Sequence, residues 1–110
     1  MKITLRQQGD VTILSLKGPL VEEHAPILRK YLEDLLITNH VRIVMDLEGA
    51  HYIDTAALAI LMNRIVEFQK RKGSIHLIGL NETLQTIFRD ASLGECFRIF
   101  PTLEEACRSF

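Results

Sequence analysis

The sequence predicts a single α/β domain built on a mostly parallel β-sheet. Its 110 residues are enough to bury a hydrophobic core without metals or disulfides. Hydrophobic residues make up 47% and charged residues 25%, which is the composition of a globular protein. Short apolar stretches alternate with amphipathic stretches of helical period, a pattern typical of right-handed βαβ crossovers. We therefore expect one domain over residues 1–110 with the order β-β-α-β-α-β-α-β-α.

The first two predicted strands form a hairpin at one edge of the sheet. Apolar and polar side chains alternate in residues 3–8 and 11–16, on either side of Gly9-Asp10. A glycine-containing connection of this length is typical of a tight hairpin turn. Gly18-Pro19 ends the second strand. We therefore expect one antiparallel edge strand in an otherwise parallel sheet.

Two of the remaining predicted strands, residues 41–47 and 74–80, are of the buried type, the first of them apolar and rich in β-branched residues. Residues 96–100 are predicted to form a last short strand. Strands that lack a regular apolar–polar alternation are typical of a parallel sheet whose two faces are both covered. This composition indicates that helices pack on both sides of the central strands.

Four amphipathic segments predict about four helices. In the first, apolar pairs recur every four positions, and Pro26 restricts the helix start to about Val21–Glu23. The second helix begins at Asp54 and ends at basic residues before Gly73, which is interpreted as the C′ glycine. Asn81 is predicted to cap the third helix, which carries Leu84, Ile87, Phe88 and Ala91 and ends near Gly94. Thr102 and Glu105 predict a capping box at the start of the fourth.

Charge and hydropathy exclude two classes of partner. Thirteen basic and fourteen acidic residues give a net charge of −1, whereas a nucleic-acid backbone requires a basic surface. The longest apolar run, residues 56–62, is far shorter than the ~20 residues of a membrane-spanning helix. The first residues contain no signal-peptide pattern. Cys96 and Cys107 lack CxxC spacing and lie in apolar settings, so we expect two buried thiols in a reducing cytoplasm. We also expect no cofactor.

The sequence lacks the motifs of common enzyme families. It contains no phosphate-binding loop, nucleophile elbow or HExxH motif. One acid–base group, Asp46, His51 and Asp54, lies at a strand–loop–helix junction, but Thr55, the hydroxyl beside it, is a poor nucleophile. We expect no catalytic residues and no metal site. The histidines are predicted to be surface or turn residues rather than ligands: His24, His40, His51 and His76.

Thr55 allows two interpretations, which the residues alone leave open. In the first, Asp54 or Thr55 is an N-cap worth about 1 kcal/mol of helix stability. In the second, Thr55 accepts a phosphate, which a helix N-terminus tolerates through its unpaired N–H groups and its macrodipole. Phosphorylation would add a charge of about −1.5 to −2 beside Asp54. A partner packed on Ala56, Ala57 and Leu58 would then bury that charge unpaired.

The stretch DLEGAHYIDTAALAIL, residues 46–61, resembles the signature D-L-S-x-V-x-x-I-D-S-[ST]-G-L-x-x-L of the STAS domain. The STAS domain is the fold of bacterial anti-sigma factor antagonists, and the resemblance in element order extends over the whole chain. It places Asp46 at the aspartate that ends the central strand, Asp54 at the acid before the phosphoacceptor, and Thr55 at the phosphoacceptor. Ala56 and Ala57 occupy the positions of a second hydroxyl residue and a glycine.

This resemblance implies a bacterial phosphoprotein that regulates transcription through protein–protein interaction. In the family, the unphosphorylated domain binds an anti-sigma factor, usually a serine/threonine kinase. Phosphorylation by that kinase breaks the complex, and a phosphatase restores it. The implied phosphorylation site is Thr55, and the implied partner-binding residues are Asp54, Thr55, Ala56, Ala57 and Leu58.

Two other functions known for STAS domains remain open at this stage. One is a subunit that braces the ATPase of a phospholipid-trafficking ABC transporter. That subunit also has a threonine before a Leu-Ala-x-Leu run, a pattern close to Thr55 and Leu58–Leu61 here. The other is a stressosome-type scaffold subunit, whose phosphorylation sites lie on the same helix.

Overall fold

The computed structural model describes residues 1–90 and 96–110, which form a five-stranded sheet and four helices. The strands are β1 (Lys2–Gln8), β2 (Val11–Lys17), β3 (Arg42–Gly49), β4 (Ser74–Ile78) and β5 (Arg98–Ile99). The helices are α1 (Ala25–Ile37), α2 (Thr55–Lys70), α3 (Glu82–Asp90) and α4 (Leu103–Arg108). Their order along the chain is the one that the sequence predicts.

The spatial order of the strands follows their order in the sequence. β1 pairs with β2 in antiparallel orientation, and β2, β3, β4 and β5 pair in parallel. Gly9, in the connection between β1 and β2, has a φ of +59°, a conformation that glycine adopts without steric cost. The predicted fold class, a mostly parallel sheet with an antiparallel edge hairpin, is therefore confirmed.

Different helices cover the two faces of the sheet. On one face, alternate residues such as Leu14 and Leu16 of β2 join the larger core with the apolar sides of α1, α2 and α3. On the other face, Val11 and Ile13 belong to a smaller core centred on Ala106 of α4. The central strands are thus buried on both sides, as their composition indicates.

The helix starts agree with their capping signals, although α1 begins later than predicted. Residues 21–24 form a turn, and α1 begins at Ala25 with Pro26 in its first turn. Asn81 Oδ1 accepts from Leu84 N at 2.8 Å, and Thr102 Oγ1 accepts from Glu105 N at 3.2 Å. Ala91, predicted to lie in this helix, and the stop predicted near Gly94 lie outside the described residues. None of the helices in the described part of the chain is long and apolar enough to cross a membrane.

The end of α2 corrects the prediction for Gly73. The C-cap is Arg71, and the left-handed residue after it is Lys72, with a φ of +61°. Gly73 has a different role, because a Cβ there would overlap the backbone of Val41, including the carbonyl carbon at 2.8 Å. The glycine is therefore required by the close approach of two chain segments, which the one-dimensional pattern does not reveal.

His76 contradicts the prediction that the histidines lie at the surface or in turns. It lies in β4 and is only 2% exposed, with its ring stacked on Phe110 at a centroid distance of 3.9 Å. Phe100 packs against the same ring at 4.9 Å. Because a carbonyl only accepts, the 3.0 Å contact with Ala106 O places a proton on Nδ1. Burial lowers the pKa of His76; the bond to Ala106 opposes this effect, and nearby Arg98 adds to it.

The two cysteines are half-buried rather than fully buried as predicted. Cys96 packs against the larger core and Cys107 against the smaller one. Burial raises the pKa of the Cys107 thiol, and the positive charge of Arg6 acts in the opposite direction. Both residues contribute apolar packing at the margins of the cores.

We expect opposite effects from substituting the two residues after α2. Gly73→Ala should lower the free energy of unfolding by about 1–3 kcal/mol, because the added Cβ meets backbone that cannot move aside. Lys72→Gly should raise it by about 0.5–1 kcal/mol, because relief of the left-handed backbone exceeds the entropy cost of glycine. Urea denaturation of both variants measures these changes. A destabilising Lys72→Gly would contradict the assignment of Lys72 as the left-handed residue.

The lowered pKa of His76 predicts a loss of stability in acid. Unfolded histidine takes up a proton near pH 6.5, whereas the folded ring resists it, so the unfolded state binds more protons below that pH. The contribution of His76 should be present above about pH 6.5 and should decrease as the pH falls through that value. Denaturation curves at several pH values should show that the free energy of unfolding decreases less in acid for His76→Gln than for the wild type. The control His51→Gln removes an exposed imidazole, and its free energy of unfolding should change with pH as that of the wild type does.

Candidate functional site

The candidate site lies where the connection after β2 meets the start of α2. Leu20 N donates to Tyr52 O, and Asp54 N donates to Leu20 O, each at 2.9 Å. Leu20 and Ile53 form an isolated parallel bridge, and both side chains are buried. Two segments more than thirty residues apart are thereby held side by side at the carboxyl ends of the parallel strands, where α/β proteins commonly form binding sites.

Both carboxylate oxygens of Asp54 accept backbone hydrogen bonds. Oδ1 accepts from Ala57 N at 2.9 Å and therefore caps α2. Oδ2 accepts from Glu22 N at 2.8 Å, in the turn that precedes α1. Asp54, and not Thr55, is thus the N-cap, and its carboxylate also joins the two segments of the site.

Thr55 is the first residue of α2, and its side chain is exposed. Because Asp54 supplies the cap, the Thr55 hydroxyl is not needed to satisfy the Ala57 N–H group. The hydroxyl therefore lies at the positive end of a sixteen-residue helix, directly after a fixed carboxylate. This position combines access for a modifying enzyme with a backbone that tolerates added negative charge.

The predicted partner-binding residues do not all reach the surface. Ala57 is 0% exposed, so its methyl group packs in the larger core and cannot contact a partner. Ala56 and Leu58 are half-buried. The exposed side of α2 instead follows helical spacing from its first residue, through Thr55, Ala59, Met62, Asn63 and Val66.

The exposed stripe of α2 was missed by the sequence interpretation. Met62 is 43% and Val66 47% exposed, and the neighbouring Tyr52 is also exposed. The signal was present in the sequence, because positions 55, 59, 62 and 66 recur at helical spacing. Residues 56–62 are all apolar, however, so periodicity alone could not tell which of them would face solvent.

The acid–base group considered from the sequence is not assembled in the structure. Asp46 Oδ1 accepts from Glu48 N at 3.0 Å, and Asp54 is occupied by two backbone N–H groups. His51 is exposed and interacts through its carbonyl, which accepts from Asn81. No hydrogen bond within residues 1–90 and 96–110 joins any two members of this group. The same residues include no cluster of three His, Cys, Asp or Glu side chains suited to a metal ion.

The sequence matches the STAS domain family over residues 2–106, and the chain belongs to that family. Among solved structures, TM1081 from Thermotoga maritima is similar with a TM-score of 0.90 at 23% identity, covering 96% of this chain and 92% of that one. The unphosphorylated form of the anti-sigma factor antagonist SpoIIAA has a TM-score of 0.77 at 16% identity, with coverage of 99% and 100%.

Two further similarities bear on the range of functions that this fold carries. The phosphorylated form of SpoIIAA, a Bacillus cell fate determinant, has a TM-score of 0.75 at 18% identity and covers 97% of both chains. A sulfate transporter family protein from Wolinella succinogenes has a TM-score of 0.77 at 20% identity, with coverage of 90% and 83%. At these identities the likenesses establish the fold.

Substitutions at Asp54 and Thr55 should separate the cap from the exposed hydroxyl. Asp54→Ala removes both hydrogen bonds and should lower the free energy of unfolding by about 2–3 kcal/mol. Asp54→Asn retains one acceptor oxygen and should cost about 1 kcal/mol. Thr55→Ala should stay within about 0.5 kcal/mol of the wild type, as expected for an exposed side chain. Urea denaturation measures all three, and an equal loss for Thr55→Ala would contradict Asp54 as the cap.

Proposed function

We propose that the protein is an anti-sigma factor antagonist that acts without catalysis in the bacterial cytoplasm. In its unphosphorylated state it binds an anti-sigma factor of the serine/threonine kinase type through the surface around the start of α2. Phosphorylation of Thr55 by that kinase releases the partner, and a phosphatase restores binding. The observation that carries this proposal is the exposed Thr55 hydroxyl beside the occupied carboxylate of Asp54.

Membership of the STAS family supports the proposal, because anti-sigma factor antagonists have this fold. SpoIIAA has been solved in unphosphorylated and phosphorylated forms, and both forms are similar in fold to this chain. A phosphate on such a domain is therefore compatible with the folded state. The effect of modification is then expected at the interface rather than in the domain itself.

The charge at the start of α2 explains how a phosphate would act on binding. Asp54 already places one negative charge there, held in position by Ala57 N and Glu22 N. A phosphate on Thr55 would add about −1.5 to −2. The helix N-terminus offsets part of this charge while it is hydrated. A partner that covers Thr55 removes the hydration, and the uncompensated charge would cost about 2–5 kcal/mol of binding free energy.

The exposed apolar stripe of α2 supports a protein partner. Ala59, Met62 and Val66 continue from Thr55 along the same side of the helix, and Tyr52 lies next to its start. Tyrosine and methionine are both enriched in protein–protein interfaces. A partner on this stripe would cover Thr55 as well, which is the condition for a charge-based switch.

A charge at position 55 should weaken binding while the fold is retained. With the proposed anti-sigma factor as the partner, Thr55→Glu should weaken affinity by about 30- to several-thousand-fold, as a cost of about 2–5 kcal/mol implies. Thr55→Ala should bind like the wild type. The matched control is Thr83→Glu, at an exposed threonine in the first turn of α3, which should leave affinity unchanged. Titration calorimetry measures each constant, and wild-type affinity for Thr55→Glu would overturn the switch.

Affinity capture from the native cell identifies the partner on which this proposal depends. Wild-type and Thr55→Glu proteins serve as baits, and mass spectrometry analyses both the captured proteins and the modification of Thr55. A kinase-type anti-sigma factor captured only by the unmodified bait would support the proposal. Capture of an ABC-transporter ATPase by both baits would overturn it in favour of a bracing subunit. Capture within a large multi-subunit scaffold would instead favour a stressosome-type function.

A further inference from the structure

A groove of about 410 Å³ lies on the sheet face that carries α4. The six-residue α4 covers Val11 and Ile13 in the first half of β2. Ser15 and Lys17, two and four residues further along β2, have the same orientation but line the groove instead. The side chains that define the groove come from β1, β2 and β3, and are Lys2, Thr4, Ser15, Lys17, Asp46 and Glu48.

The positive end of the groove consists of two lysines in direct register. Lys2 of β1 lies opposite Lys17 of β2, and like charges at paired positions destabilise a sheet. None of the ion pairs within the described residues includes either lysine. The next pair on the same face, Thr4 and Ser15, adds two hydroxyl groups. An anionic group between the lysines would relieve their repulsion.

The negative end of the groove consists of Asp46 and Glu48 on β3. Asp46 lies in register with Ser15, and the register then shifts before Lys17 pairs with Gly49, so β3 carries one extra residue. Such bulges change the direction of side chains and are frequent next to binding sites. Asp46 Oδ1 accepts from Glu48 N at 3.0 Å, which orients the carboxylate within this irregularity.

Gly49 allows the two ends of the groove to approach each other. A Cβ at this position would lie 2.8 Å from Leu16 O and 2.9 Å from Lys17 Cγ. The glycine therefore lets β2 and β3 pass closely, and the Lys17 side chain lies against β3. Positive and negative groups consequently line one groove. Its volume of about 410 Å³ lies within the range of small-molecule sites, about 300–1,000 Å³.

We propose that this groove binds a small zwitterion. The acidic group of the ligand lies between Lys2 and Lys17, and its ammonium group faces Asp46 and Glu48. A simple anion would be repelled by the carboxylates and a simple cation by the lysines, so both charges are required for favourable binding. Lys17 lies on β2, the strand next to Asp46 and Glu48, and neighbouring strands are about 4.7–4.9 Å apart, which suits a ligand whose two charges are a few bonds apart. This inference is independent of Thr55 and of the proposed sigma-factor function.

The test is an NMR titration of the whole protein with 4-aminobutyrate, and separately with butyrate and butylamine, its two single-charge analogues. Amide shifts should move and saturate at Thr4, Ser15 and Lys17. The zwitterion should bind about tenfold more tightly than either analogue. Titration to about 50 mM detects binding with a dissociation constant up to about that concentration. No saturation with the zwitterion, or equal binding of butyrate or butylamine, would overturn the proposal.

Variants at each end of the groove provide the second part of the test. Lys17→Ala and Glu48→Gln should each weaken 4-aminobutyrate binding by about tenfold, because each removes one charge of the complementary pair. Lys17→Ala also removes the cross-strand repulsion, so the fold should be retained. The control Lys30→Ala removes an exposed lysine of α1, on the other side of the sheet, and should bind like the wild type. Binding unchanged by both groove variants would contradict the assignment.

Discussion

The carboxylate of Asp54 is the interaction on which the candidate site depends. Its two oxygens accept from Ala57 N, one turn into α2, and from Glu22 N, thirty-two residues earlier in the chain. The same group thus determines where α2 begins and how closely the turn before α1 lies beside it. Because the cap is provided by Asp54, the adjacent Thr55 remains exposed at the positive end of the helix. The sequence leaves the cap open between Asp54 and Thr55, and the structure assigns it to Asp54.

The unequal covering of the sheet determines where the remaining surface chemistry lies. Three helices cover one face, whereas the short α4 covers only part of the other. α4 is held against the sheet by the smaller apolar core and by the buried ring of His76, whose Nδ1–H donates to Ala106 O. Beyond α4 the same face becomes polar, and the paired lysines and acidic residues there are left open to solvent. The apolar stripe of α2 and this polar groove are therefore separate surfaces of one small domain.

Much of the fold could be predicted because its signals are local. The Gly9-Asp10 connection, the N-caps Asn81 and Thr102, and the alternation of strand and helix each depend on neighbouring residues. The wrong predictions for His76 and Gly73 concern residues whose environment is formed by distant parts of the chain. His76 is buried by Phe100 and Phe110, and Gly73 is required by Val41. Neither contact is encoded in the local pattern.

The candidate site divides in the same way. The sequence by itself determined the position of Asp54 and Thr55 at the start of a helix, because capping preferences and the STAS signature act over a few residues. Only the tertiary structure decided that Ala57 faces the core, since burial depends on which side of α2 packs against the sheet. It also decided that Asp46 lies in register with Ser15, because β2 and β3 are far apart in the sequence and their register depends on tertiary packing. Local backbone preference specifies the elements, and packing between elements specifies which side chains remain available for binding.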